Sequence, residues 1–126
     1  MNVSTRPGTI EDIPAIFDLV KELAIFERAL DQVTNNVDKM TRDYKEKLFD
    51  FFVAESEVGI IGLSLFYFRY STWKGKRLYM EDIIVTEEMR GNGIGKILFA
   101  PTVPSPGKPT FFSSIPELHR VLSGAI

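Results

Sequence analysis

Between residues 9 and 27 the apolar side chains Ile13, Ile16, Phe17, Val20, Leu23 and Ala24 recur three and four positions apart. That is the period of a helix with one buried face. Thr9 followed by Asp12 has the form of a capping box, and Pro14 sits in the opening turn, where its missing N–H removes no helical bond. A second stripe, Val37, Met40, Tyr44 and Leu48, keeps the same period with charged residues on its other side and predicts a second helix. The texture then changes. "FFVAE" at 51–55, "IIGLSLFYFRY" at 60–70 and "RLYMEDIIV" at 77–85 are rich in aromatic and β-branched residues and predict three strands. Residues 57–59 suit a tight turn between the first two, and the polar "STWKGK" at 71–76 suits a hairpin connection between the last two. With a short strand over residues 2–6 and a short helix over about 93–100, the order is β-α-α-β-β-β-α, an α/β layer arrangement.

At residue 101 the pattern breaks, because "PTVPSPGKP" has four prolines in nine residues and neither a helix nor a central strand runs through such a stretch. The chain therefore divides into a domain over 1–100 and a Pro-rich, divergent tail over 101–126. The closing "IPELHRVLSGAI" suits one short helix, with Leu118, Val121 and Leu122 on one side and His119 exposed. No internal repeat is visible.

Composition narrows the chemistry. At 126 residues the chain has room for one core. Its 44% apolar content comes without a run approaching the ~20 residues of a membrane helix, so no membrane partner is expected. The start lacks a basic segment followed by an apolar one, and there is no cysteine, so the expected setting is cytoplasmic. Zero cysteines and one histidine leave no thiolate nucleophile and no His-rich metal cluster, and proton transfer falls to carboxylates or tyrosine. A net charge of −2 with interspersed signs argues against a nucleic-acid surface.

The densest feature is "MRGNGIGKILF" at 89–99, which gathers three of the nine glycines into five residues. A strand, a glycine loop and then a helix turn backbone N–H groups toward one place, and a missing Cβ lets an anion such as a phosphate approach them. Gly91, Gly93 and Gly95 do not have the G-x-G-x-x-G spacing of the dinucleotide fingerprint. Ile97 after Lys96 stands where a Walker loop needs Ser or Thr. The alternative is a glycine-rich start to a helix that only permits close packing.

Arg90, Gly93 and Gly95, behind an apolar strand, match the R/Q-x-x-G-x-G/A motif, and on it the chain resembles the GNAT N-acetyltransferases. "KELAIFE", "YSTWKG" and "YMEDIIV" resemble the branch of that family that acetylates diamines and thialysine. The resemblance covers residues 1–100. It implies the N-terminal part of an acyl-CoA N-acyltransferase fold, acetyl-CoA as cosubstrate and a small-molecule amine as acceptor. By the same resemblance, the backbone of Ile83, Ile84 and Val85 binds the pantetheine arm, while Arg90, Gly91, Asn92, Gly93, Ile94, Gly95 and Lys96 hold the pyrophosphate. Glu81 corresponds to a strand carboxylate that contacts the amine and removes its proton through water. Phe26 and Glu27 correspond to a substrate-contacting pair, and Trp73 to an aromatic beside the amine. Ser71 stands near where some polyamine acetylators carry an acidic residue, which favours small aminoalkyl substrates over long polycations.

The chemistry read from the residues agrees. An alkyl ammonium with a pKa near ~10 needs a base before it attacks a thioester, and the oxyanion that develops needs donors. Glu81 supplies the first and strand N–H groups the second. The alternative for Glu81 is an ion pair with Arg77 or Lys76. Asp82, by strand alternation, faces the opposite way and reads as structural, and Trp73 reads from the residues alone as a loop anchor before a substrate contact. After Ala100 the splayed strand, helix and two further strands of the family are not recognisable. Nor is the tyrosine that protonates the departing thiolate, since Tyr44, Tyr67, Tyr70 and Tyr79 all lie upstream. Two expectations follow: an N-acetyltransferase with a reorganised or partner-supplied second half, or a non-catalytic remnant that binds CoA weakly. An uncovered edge at 77–85 also predicts a homodimer or other self-association.

Overall fold

The computed structural model describes residues 2–99, and the Pro-rich stretch, the closing helix and His119 lie outside them. Its elements are β1 (Ser4–Pro7), α1 (Ile13–Phe26), α2 (Val37–Lys45), β2 (Asp50–Ser56), β3 (Gly59–Ser71), β4 (Gly75–Val85) and α3 (Ile94–Phe99). The sheet has the order β1-β2-β3-β4 with every neighbour antiparallel.

The capping box of Thr9 and Asp12 opens a 3-10 turn at Ile10–Asp12 that leads into α1 and does not cap α1 itself. The N–H and hydroxyl of Thr9 both donate to the Asp12 carboxylate, at 2.8 and 3.1 Å. That carboxylate is buried and takes a bidentate bond from Arg6 at 2.8 and 2.9 Å. The guanidinium holds the Asp12 carboxyl down at about 2, and Arg6 reaches on to Glu55 on β2 at 3.2 Å. One charged network therefore fastens the first strand, the first helix and the second strand.

The sheet buries both faces. Phe51, Val53, Leu63, Leu65 and Ile84 pack against Ile13, Ile16, Phe17 and Leu19 of α1 and Met40 of α2. Ile94 and Leu98 of α3 pack with Ala54 and Ile61 in a separate cluster. The approach of α3 depends on Gly62, where a Cβ would come within 2.9 Å of the Leu98 side chain.

Two expectations are corrected. Leu48 is not on the α2 stripe: Lys47 turns into the left-handed region at φ 62°, the helix has stopped at Lys45, and Leu48 is 56% exposed. The hairpin connection is shorter than its polar sequence suggests. Ser71 and Gly75 still pair, and only residues 72–74 turn, held by the Ser71 hydroxyl accepting from the N–H groups of Trp73 and Lys74, each at 3.2 Å. Trp73 itself anchors nothing there, since it is 92% exposed. Among the described residues no helix is long and apolar enough to cross a membrane.

Candidate active site

The central feature is a slip in register. Leu63 faces Ile84, Leu65 faces Asp82, and then Phe66 faces Met80, so Glu81 has no opposite number. A bulge of this kind breaks the alternation of side chains and redirects the residue it inserts. Met80 packs with Phe66 and Leu78, whereas Ile84 packs with Leu63 and Leu65 against α1. Asp82, opposite Leu65, shares that α1 face. So does Glu81, whose Oε2 accepts from the hydroxyl of Tyr67, two residues beyond Leu65, at 3.4 Å. The expectation that Asp82 faces away from Glu81 is thus wrong, because strict alternation does not survive the bulge.

Crowding these carboxylates changes one of them. Burial, and then the charges of Glu81 and Glu27, push the Asp82 carboxyl up to about 6. Burial and the Glu81 charge likewise raise the Tyr67 phenol. Glu27, at the end of α1, is therefore part of the same negative field. Lys76, one of the partners weighed for Glu81, lies instead over the Phe68 ring at 4.1 Å.

Beyond β4 the chain makes a short 3-10 turn at Glu87–Met89 and enters the glycine loop. Gly91 and Gly93 adopt φ of 84° and 75°, a region that favours glycine, and a Cβ on either would point into open space. The same loop lines a cleft of about 430 Å³ with Ile83 and Val85 of β4, through Arg90, Gly91, Gly93, Ile94, Gly95 and Lys96. Two residues assigned to it from sequence behave otherwise. Ile84 buries its side chain in the core and leaves only its backbone to a ligand. The Asn92 amide donates to the Met89 carbonyl at 3.0 Å and braces the loop. Bare glycine backbone between two cationic side chains fits a diphosphate of the kind CoA carries.

Helix α1 holds this loop in place. The Glu22 carboxylate accepts from the Thr86 hydroxyl at 3.0 Å and from the Glu87 N–H at 2.7 Å. Arg90 donates to the Val85 carbonyl at 3.1 Å and lays its guanidinium 5.0 Å from the centre of the Phe26 ring. Phe26 and the loop thus meet directly. Trp73 does not join them, since its turn lies about 20 Å along β4 from Glu81 at the ordinary strand rise. Neither Glu22 nor Thr86 carries a sequence motif, and Asp82 was hidden by the alternation rule.

The bulged strand delivers carboxylates to one face and ends in a glycine loop lined by cations. The chain belongs to the acetyltransferase (GNAT) family, whose model matches residues 15–101. It is 39% identical over 103 residues to a thialysine N-epsilon-acetyltransferase of Bos taurus, covering 74% of this chain and 61% of that protein. A thialysine N-epsilon-acetyltransferase of Caenorhabditis elegans is 33% identical over 97 residues, covering 77% of this chain and 59% of its own length. The human spermidine/spermine N(1)-acetyltransferase-like protein 1 is 38% identical over 99 residues, covering 71% of this chain and 14% of that protein. The chain thus spans 61% and 59% of the two thialysine acetyltransferases. Among solved structures, an aminoglycoside acetyltransferase from an uncultured soil sample, in complex with sisomicin, superposes with a TM-score of 0.65 at 20% identity, covering 79% of this chain and 66% of that one. An acetyltransferase of Clostridium acetobutylicum with acetyl-CoA gives 0.58 at 21% identity, covering 75% and 67%. At such identities the structures establish the shared fold.

Proposed function

We propose that this chain transfers an acetyl group from acetyl-CoA to a primary amine of a small aminoalkyl or polyamine-like substrate. The observation that carries the reading is the bulge at Glu81, which turns Glu81 and Asp82 to one face, one or two positions before the strand residues that line the glycine-loop cleft. Acetyl-CoA supplies the activated thioester. The Gly91–Lys96 loop holds the pyrophosphate through its backbone, with Arg90 and Lys96 adding positive charge. The main chain of Ile83 to Val85 aligns the pantetheine arm. Glu27, Glu81 and Asp82 draw an ammonium group in by Coulomb attraction. Glu81 then takes the proton through water, and Asp82, which holds a proton more readily than an ordinary carboxylate, is a second acceptor beside it. Phe26, half-fixed by Arg90, flanks the amine with its ring. The names of the thialysine and spermidine/spermine relatives support an amine acceptor.

The test is isothermal titration with acetyl-CoA followed by an amine-acetylation assay on the same sample. Saturable binding with turnover of a primary amine supports the reading. Binding without turnover leaves a CoA-binding domain, and no binding removes the proposal altogether.

A further inference from the structure

Helix α2 stops at Lys45, and the turn that follows it borders a cavity. Lys47 takes the left-handed conformation at φ 62°. Its N–H donates to the Tyr44 carbonyl at 3.0 Å, and the Leu48 N–H donates to the Asp43 carbonyl at 3.1 Å. This closed turn carries Leu48 off the buried stripe. Strand β2 then begins at Asp50, opposite Phe66, so among the described residues β3 beyond Phe66 pairs only with β4. Between the turn and this edge of β3 lies a cavity of about 610 Å³. Its size falls within the range of about 300–1,000 Å³ that ligand sites occupy.

The wall of the cavity is apolar and braced. Tyr44 and Phe49 line one side with ring centres 5.6 Å apart, and Phe66, Tyr67, Phe68 and Leu78 line the other. Both phenols have their hydroxyls on acceptors within the fold: Tyr44 donates to the Gly8 carbonyl and Tyr67 to the Glu81 carboxylate, each at 3.4 Å. The rings are thus held before anything binds, and an apolar body entering between them need not order its own wall.

The charge on the rim is positive. Lys45 and Lys47 both line the cavity, both are exposed, and among the described residues neither has an ion-pair partner. The acid beside them, Asp50, accepts from the Phe51 N–H at 2.9 Å and is bridged to neither lysine. The cofactor does not account for these cations, because the cavity shares no lining residue with the glycine-loop cleft.

We infer that the cavity is a second ligand site, which takes a small amphipathic carboxylate with its apolar body among the rings and its charge at Lys45 and Lys47. A carboxylate there forms charge-assisted bonds, whereas a cation with the same apolar body meets two ammonium groups. This site stands independently of the amine-acetyltransferase reading.

The experiment titrates octanoate, 1-octanol and octyltrimethylammonium into the full chain, with and without saturating acetyl-CoA. Octanoate is expected to saturate and to bind roughly tenfold or more tightly than octyltrimethylammonium, with the same affinity when acetyl-CoA is present. Lys45→Gln combined with Lys47→Asn removes that preference and leaves 1-octanol unaffected, asparagine being a residue that accepts the left-handed turn at 47. Leu48→Ser weakens octanoate and 1-octanol alike. All three positions are exposed, and circular dichroism of each variant verifies its fold. Equal affinities for the anion and the cation, a preference that survives the double substitution, octanoate binding unchanged by Leu48→Ser, displacement of octanoate by acetyl-CoA, or no saturable binding overturns the inference. Octanoate preference in a chain that does not bind acetyl-CoA leaves this inference standing and removes the transferase reading instead.

Discussion

The Arg90 guanidinium lies 5.0 Å from the centre of the Phe26 ring, so the glycine loop and the end of α1 are in contact. By the family resemblance the two residues serve different ligands, Arg90 the cofactor and Phe26 the amine. Their contact, with the bonds from Thr86 and Glu87 to Glu22, makes α1 a brace for the loop.

Removing the brace has a measurable result. Glu22→Ala leaves the Thr86 hydroxyl and the Glu87 N–H without that acceptor and costs about 1.5–3 kcal/mol of stability, the range for hydrogen bonds to a charged group. Urea denaturation checks the stability, and titration should show weaker acetyl-CoA binding alongside it. A stability loss with undiminished affinity would separate the brace from the cofactor site.

Gly93→Val is expected to weaken CoA binding at least tenfold, about 1.4 kcal/mol. The added side chain would stand in open space on the loop that lines the cleft, and φ of 75° strains any residue with a Cβ. Gly59→Val is the control, because Gly59 also has a positive φ and open space but sits in the turn between β2 and β3. Equal loss of affinity in both variants would assign the effect to strain and not to the loop.

Glu81→Gln keeps the size of the side chain and removes its capacity to take a proton. Turnover should fall by 10²-fold or more, on the scale of general-base catalysis, while acetyl-CoA affinity changes little. Tyr67→Phe should have a smaller effect in the same direction, because it removes only the bond that orients Glu81. Steady-state kinetics with a primary amine, beside titration of the cofactor, reads both. Unchanged turnover in Glu81→Gln would return this residue to a structural role.

Asp82 makes stability depend on pH. Its carboxyl is raised from 3.8 to about 6 in the folded chain. Between those values the unfolded chain has released the proton that the folded chain still holds, so this group lowers stability as pH rises from about 4 to 6, and the penalty stays constant above that. Asp82→Asn removes it, and the gain over the parent should grow through that window. Thermal unfolding at a series of pH values checks the sign, and a gain largest at pH 4 would contradict it.

Among the described residues β4 is one of the two edge strands of the sheet, the other being the short β1. A strand of this length at an edge offers its backbone groups to another chain. Self-association of the full chain at micromolar concentration is the expected outcome in analytical sedimentation. A monomer at every concentration tested would show that the β4 edge does not pair between copies.

Much of the architecture is legible in the sequence. The three-and-four spacing of α1, the aromatic and β-branched runs of β2 to β4 and the capping box of Thr9 and Asp12 all report on burial or bonding within one element, and such features repeat along the chain. The glycine loop was equally readable, because its chemistry is local backbone chemistry. The end of α2 was less so, since apolar Leu48 continues the stripe after Lys47 has turned the backbone away.

What tertiary structure decided is which side chains share a face and which elements touch. The slip that leaves Glu81 without a partner is a property of the pairing of β3 with β4, and no pattern along β4 alone reveals it. That one-residue slip turned Asp82 toward Glu81 and raised its carboxyl by burial and like charge. The pairing also set Arg69 opposite Arg77, residues separated by the whole hairpin turn. Glu22 and Thr86 lie 64 residues apart and meet because α1 packs across the sheet. Periodicity in a sequence records how buried an element is, averaged over its length. Register and contact depend on the free energy of two elements together, and so they were settled only when the chain folded.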